Sequence, residues 1–168
     1  MNTKMIFEIF AWGLAGFLLI PGSCQDVRRQ SVSGNLLKIS GTLTFCLCLI
    51  RIVKNVYKEA DSAAAWANAL ADPAFGLIPG ICLLIVSFFR KDSIGKGDGI
   101  AVLILGLLLG AERVCLLVFL SLFSASLWSI ILLGRKKAAF DTRIPFFPFL
   151  AFGTVLVLIM GLSGGLEG

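Results

Sequence analysis

Ten carboxylates, fifteen lysines and arginines, five cysteines and the single Tyr57 are the ionisable side chains of this 168-residue chain, which contains no histidine. The missing imidazole excludes Ser-His and Cys-His nucleophilic catalysis, zinc sites of the HExxH kind and histidine general bases. A pair of carboxylates suits what remains. Two of them held close together cannot both ionise, so they share one proton and titrate as a pair. The ionised partner takes a proton from a water as it attacks a peptide carbonyl, and the protonated partner donates to the carbonyl oxygen. That chemistry needs no metal, cofactor or covalent intermediate.

Two aspartates stand out by position. Asp26 follows the first apolar stretch and opens the run Asp26-Val27-Arg28-Arg29-Gln30-Ser31-Val32-Ser33. Asp98 closes Gly95-Lys96-Gly97-Asp98, immediately before the fourth apolar stretch. An aspartate at a helix start also serves as a cap, and that reading stands beside the catalytic one. Gly95 and Gly97 are expected to free the backbone for positive φ and for the close approach of a substrate strand. Lys96 either orients a carboxylate or meets a lipid phosphate. Asp92 and Asp141 read as solvated loop carboxylates. Cys24, Cys46, Cys48, Cys82 and Cys115 form no CxxC pair, and Cys46 and Cys48 are two apart and do not face each other on a helix. They read as buried apolar fillers, with no metal or redox role.

The elements that must position these residues are membrane helices. The chain is 58% hydrophobic and 15% charged, against about 45–50% and about 25% in a soluble domain. A bilayer core of about 30 Å needs about 20 residues of helix. Six apolar stretches are present, at 5–21, 36–53, 73–89, 99–111, 114–133 and 146–162, joined by short polar connections. The expected fold is all-α: a polytopic membrane protein, a six-transmembrane-helix bundle forming one membrane-embedded domain over 1–168. The first stretch reads as a retained span, because Glu8 interrupts its start and no small-x-small cleavage site follows convincingly. The fourth is only about 20 Å long, so either Asp98 or Glu112-Arg113 lies below the headgroups. A carboxylate at that depth is partly desolvated, which raises its pKa. The segment 57–71, with its alanines and Trp66, is expected as a polar connection holding a short interfacial helix. The pairs Gly76/Gly80 and Gly106/Gly110 read as close-packing positions between helices.

Orientation follows the lysines and arginines. Connections one, three and five, with Lys38, hold ten of the fifteen, and the opposite side holds Lys4, Arg51, Lys54, Lys58 and Arg113. That puts Asp26 and Asp98 on the cytoplasmic side and both termini outside. The net charge of +5 reads as topology and attraction to anionic lipid. Its scatter over loops argues against nucleic acid as a partner. Spans one and four as neighbours in the bundle would bring the two aspartates together.

These features resemble a known family. Asp26 with its basic follow-on, Gly95-Lys96-Gly97-Asp98, and Ile144-Pro145-Phe146-Phe147-Pro148-Phe149-Leu150 entering the last span are similar to the motifs of type IV prepilin peptidases, membrane aspartyl proteases with a Gly-x-Gly-Asp motif. The resemblance implies that Asp26 and Asp98 are the catalytic pair, supported by Gly95, Lys96 and Gly97. Pro145, Phe146 and Pro148 would form a substrate or structural motif. It implies a prepilin or pseudopilin leader as substrate, cut at the cytoplasmic face of the inner membrane, typically after a glycine. The chain departs from the family in carrying Val32-Ser33 where Ile-Pro is usual and Phe147 where glycine is usual. The short first connection and the absence of CxxC pairs resemble the peptidase-only branch, without N-methylation. Two other readings stay open: a preflagellin-type leader peptidase, and a non-catalytic scaffold or small transporter whose paired aspartates relay protons or bind a cation.

Overall fold

The computed structural model describes residues 3–29, 32–58, 63–89, 95–135 and 145–162. Among the described residues there are six α-helices: α1 (Thr3–Arg29), α2 (Gly34–Lys58), α3 (Ala63–Phe89), α4 (Lys96–Leu109), α5 (Ala111–Gly134) and α6 (Phe147–Leu162). Helix is what lipid demands, since a helix satisfies its own backbone where no water can. Pro21 in α1 and Pro73 and Pro79 in α3 lie inside their helices without ending them. Four helices are long and apolar enough to cross a membrane: α1, α2, α3 and α5. The chain is a multi-pass membrane protein. Of the six spans expected, α4 and α6 fall short of that length, at 14 and 16 residues.

The shortness of α4 is explained by where it sits. It packs against α1, α2, α3 and α5, and nine of its residues are buried, among them Val102, Leu105 and Leu109. A helix walled off from lipid need not match the thickness of the bilayer. Around it, Ala15, Leu18, Leu19, Val114, Leu117, Leu150 and Val157 complete the core. Large apolar side chains such as Phe10, Phe17, Phe45, Phe119 and Phe152 point outward, where lipid receives them. The cysteines depart from the expectation of buried fillers: Cys48 alone is buried, and the other four lie on this outer surface.

Glycine sets how closely α3 and α4 approach. A Cβ on Gly76 would collide with the carbonyl oxygen of Gly106, and one on Gly106 with that of Gly76. A Cβ on Gly80 would lie 2.7 Å from Leu103, and one on Gly99 2.7 Å from Leu84. These contacts make the two helices antiparallel. Gly110 does something different from its expected packing role: at φ 87° it is the break between α4 and α5. Beside it, Asp72 accepts a hydrogen bond from the Ala111 N–H at 3.1 Å and pairs with Arg51 at 2.9 Å. Nearby in sequence, Arg113 pairs with Glu8 at 2.8 Å.

This charged cluster locates the ends of α4. Asp72 lies nine residues inside α3 and Arg51 seven residues inside α2, or about 10–14 Å from those helix ends. Gly99 meets Leu84, about 7–8 Å from the other end of α3. Both ends of α4 are therefore recessed relative to α3, the Gly110 end more deeply, whereas its Gly97 end is level with Val32 just before α2. The alanine-rich segment also departs from expectation. Residues 63–71 continue into the apolar part of α3 without a break, because alanine is the strongest helix former and nothing there stops the helix.

Candidate active site

Asp26 lies in the last turn of α1 and Asp98 in the first turn of α4, ahead of the apolar run that starts at Gly99. The fold brings both to one end of the bundle, opposite the Arg51–Asp72 cluster. They are 7% and 8% exposed, a degree of burial that carboxylates seldom reach without partners.

Among the described residues, each has one backbone donor. The Phe147 N–H, at the first residue of α6, donates to Asp26 Oδ2 at 3.1 Å. The Gly95 N–H donates to Asp98 Oδ2 at 3.2 Å. Gly95 rather than Asp98 is thus the N-cap, and Asp98 supports the helix start from three residues on, by accepting the Gly95 N–H. That role does not exhaust the residue's chemistry. Burial, and after it the charge of Asp26, push the Asp98 carboxyl up to about 7, while the Gly95 hydrogen bond pulls the other way. The two carboxylates are therefore within electrostatic reach of each other.

The glycines work differently from the expectation of positive φ. Gly95 has φ −68° and ψ 135°, ordinary extended backbone, and Gly97 lies inside α4. The run opens a helix, which needs no left-handed residue. A Cβ on Gly95 would stand 3.2 Å from Asp98 Oδ2, so the bare glycine eases the carboxylate's reach to its N–H. Lys96 is exposed at the same mouth.

The departures noted in the sequence have structural counterparts. Ser33 donates its N–H to Gln25 Oε1 at 2.8 Å, pinning the turn between α1 and α2 with a proton that proline lacks. Val32 packs against the core and faces Gly97. Phe147 is fully buried, and its ring lies over Gly22, one turn before Asp26. A Cβ on Gly22 would be 2.6 Å from that ring. Phe146 packs on the core, and its carbonyl accepts from the N–H groups of Phe149 and Leu150, starting α6. Pro145 precedes that turn and Pro148 lies within it.

Sequence reasoning missed two features: the Phe147–Asp26 bond with its Gly22 seat, and the Asp72 cluster. For the second a signal was present, since Arg51 and Asp72 are opposite charges bordering apolar runs on the same side. Asp92 and Asp141 lie outside the described residues. Among the described residues no group of three or more His, Cys, Asp or Glu is placed to hold a metal.

A buried carboxylate pair of which one member holds its proton near neutrality can polarise a carbonyl and activate a water in one step. A sequence profile described as the type IV leader peptidase family matches residues 12–130, a stretch that includes both aspartates. No curated protein and no solved structure matches the chain.

Proposed function

This chain belongs to the type IV leader peptidase family, and on that footing we propose that it is an aspartyl endopeptidase removing the N-terminal leaders of type IV prepilins or pseudopilins. Asp26 and Asp98 are the catalytic pair. The observation that carries this reading is their convergence, both buried, at one end of the bundle, with the Asp98 carboxyl raised to about 7. Near neutral pH such a pair holds one proton between its members. The ionised carboxylate accepts a proton from the attacking water, and the protonated one donates to the scissile carbonyl as the tetrahedral intermediate forms.

The site lies on the cytoplasmic face of the inner membrane, with six spanning helices, both termini outside and 1–168 as one peptidase domain. The ten-to-five bias of basic residues supports that sidedness. A leader substrate presents a basic segment followed by a long apolar helix, and the helix would lie against the bundle in lipid. Carboxylates in the end turns of α1 and α4 match the interfacial depth of the bond between those segments. Preflagellin-type leaders would use the same chemistry.

Asp26→Asn and Asp98→Asn should each abolish cleavage of a co-expressed prepilin, read by the mobility shift of the processed product, at unchanged membrane levels. Full cleavage by either variant would overturn the assignment.

A further inference from the structure

Asp26 occupies the unfavourable end of its own helix. It sits in the last turn of α1, where the aligned peptide dipoles present negative charge. Its support comes from 121 residues further along the chain, as the Phe147 N–H at 3.1 Å. The first turn of α6 leaves that proton available. Pro148 has no N–H, and Phe149 and Leu150 already donate to the Phe146 carbonyl. Phe147 is one of the N-terminal residues whose N–H has no carbonyl within its own helix to accept it. The positive end of α6 thus faces a carboxylate that α1 alone would leave unsupported.

The fit is fixed by side chains as well. The Phe147 ring is fully buried and rests where Gly22 has no Cβ. Ring and N–H belong to one residue, so seating the ring on Gly22 fixes the donor against Asp26, one turn later on the same helix. Among the described residues on α1 and the elements packed against it, the ionisable ones at this end are Lys38 on α2, Lys96 and Asp98 on α4, and Cys24, Arg28 and Arg29 on α1 itself. Helix α6 has none, so it acts on Asp26 through its backbone. The family match ends at residue 130, before α6 begins.

We infer that the first turn of α6 is a positioning element of the active site: Phe147, seated on Gly22, orients the Asp26 carboxylate through its backbone N–H. The inference rests on Asp26 being catalytic, as proposed above. Phe147 acts through the Asp26 carboxylate, which takes part in proton transfer, so its effect falls on the rate of the chemical step rather than on substrate binding.

The test separates the donor from the ring in the full chain. Phe147→Ala keeps the N–H and removes the ring, whereas Phe147→Pro removes both, at a helix start where proline is favoured. The probe is a prepilin-type reporter with a basic leader, a glycine and an apolar helix. Relative to Phe147→Ala, Phe147→Pro should lower kcat by about tenfold or more with KM within about twofold. Gly22→Ala should impair cleavage by displacing the ring, and adding Phe147→Ala should restore part of it. That rescue keeps the test decisive if Phe147→Pro fails to accumulate.

An activity-independent arm uses protein labelled with 15N-phenylalanine. The Phe147 amide, assigned by its loss in Phe147→Leu, should exchange with D2O about tenfold or more faster in Asp26→Ala, with the Phe152 amide unchanged as control. Equal kcat for the proline and alanine variants, or equal exchange with and without the carboxylate, overturns the inference. Normal cleavage by Asp26→Asn instead overturns the catalytic reading beneath it. If wild type leaves the reporter uncut, the exchange arm still decides whether the contact exists.

Discussion

Asp98→Asn should stabilise the protein above neutral pH while abolishing its activity. An ordinary aspartate titrates near 3.8, and Asp98 is raised to about 7, first by burial and second by the charge of Asp26. At about 1.36 kcal/mol per pH unit, that gap makes the ionised form about 4 kcal/mol costlier in the folded protein than in the unfolded chain. A folded-state pKa raised above its unfolded value contributes stability that is complete below about pH 3.8. That stability is lost as pH rises through about 7, and the loss levels off above it. Asparagine has no proton to lose and nearly the same shape, and its carbonyl can still accept from the Gly95 N–H. The mouth of the site admits some solvent, so we expect about 1–3 kcal/mol of the 4 to appear. Thermal unfolding in detergent, followed by the fluorescence of the three tryptophans between pH 4.5 and 8.5, is the assay. Wild type should lose stability across that range while Asp98→Asn changes far less, and the two should converge at the acid end. Asp26→Asn, which removes the smaller cause and leaves burial in place, should shrink the pH dependence without erasing it. A wild-type midpoint independent of pH, or an Asp98→Asn variant less stable than wild type at pH 8, would refute the reasoning.

Two further predictions concern the frame that holds the site. Gly106→Ala puts a methyl group into the Gly76 carbonyl, a backbone obstacle that no rotamer relieves, and should cost about 1–3 kcal/mol in the same melts. Gly16→Ala in α1, with nothing within 4 Å of its new methyl, should be neutral or gain up to about 1 kcal/mol. Asp72→Ala leaves the Ala111 N–H and Arg51 without their acceptor and should cost about 1–2 kcal/mol, with Arg51→Ala costing less because the pair is partly exposed. Equal effects at Gly106 and Gly16, or a neutral Asp72→Ala, would contradict the packing described.

What was legible in the sequence and what was not divides along physical lines. Helix and membrane are written in composition, because lipid leaves a spanning backbone almost no alternative. Asp26 and Asp98 were legible because a carboxylate beside an apolar run is costly and draws notice wherever it stands. The donor to Asp26 was hidden, since every residue but proline carries an N–H, and nothing in Pro145-Phe146-Phe147-Pro148 says which one is free or where it points. Only the fold shows that the two prolines and the Phe146 carbonyl leave Phe147 as donor. Gly22 was hidden for a related reason: a missing side chain has meaning only beside the ring that occupies its place. The boundary of α3 was misplaced because polarity was read as connection, whereas alanine-rich polar sequence next to an apolar helix extends it. That extension has a consequence for the site. By carrying α3 well past Asp72, it sets that residue inside a continuous helix, whose part from Leu84 to Asp72 lines α4 and clamps its far end at Gly110. The helix bearing Asp98 is thus held at both ends, by the Asp72 cluster at one and by the Gly95 cap at the other. A carboxylate kept at about 7 by burial depends on that rigidity, since an α4 free to slide toward solvent would hydrate Asp98 and return it to the ordinary range.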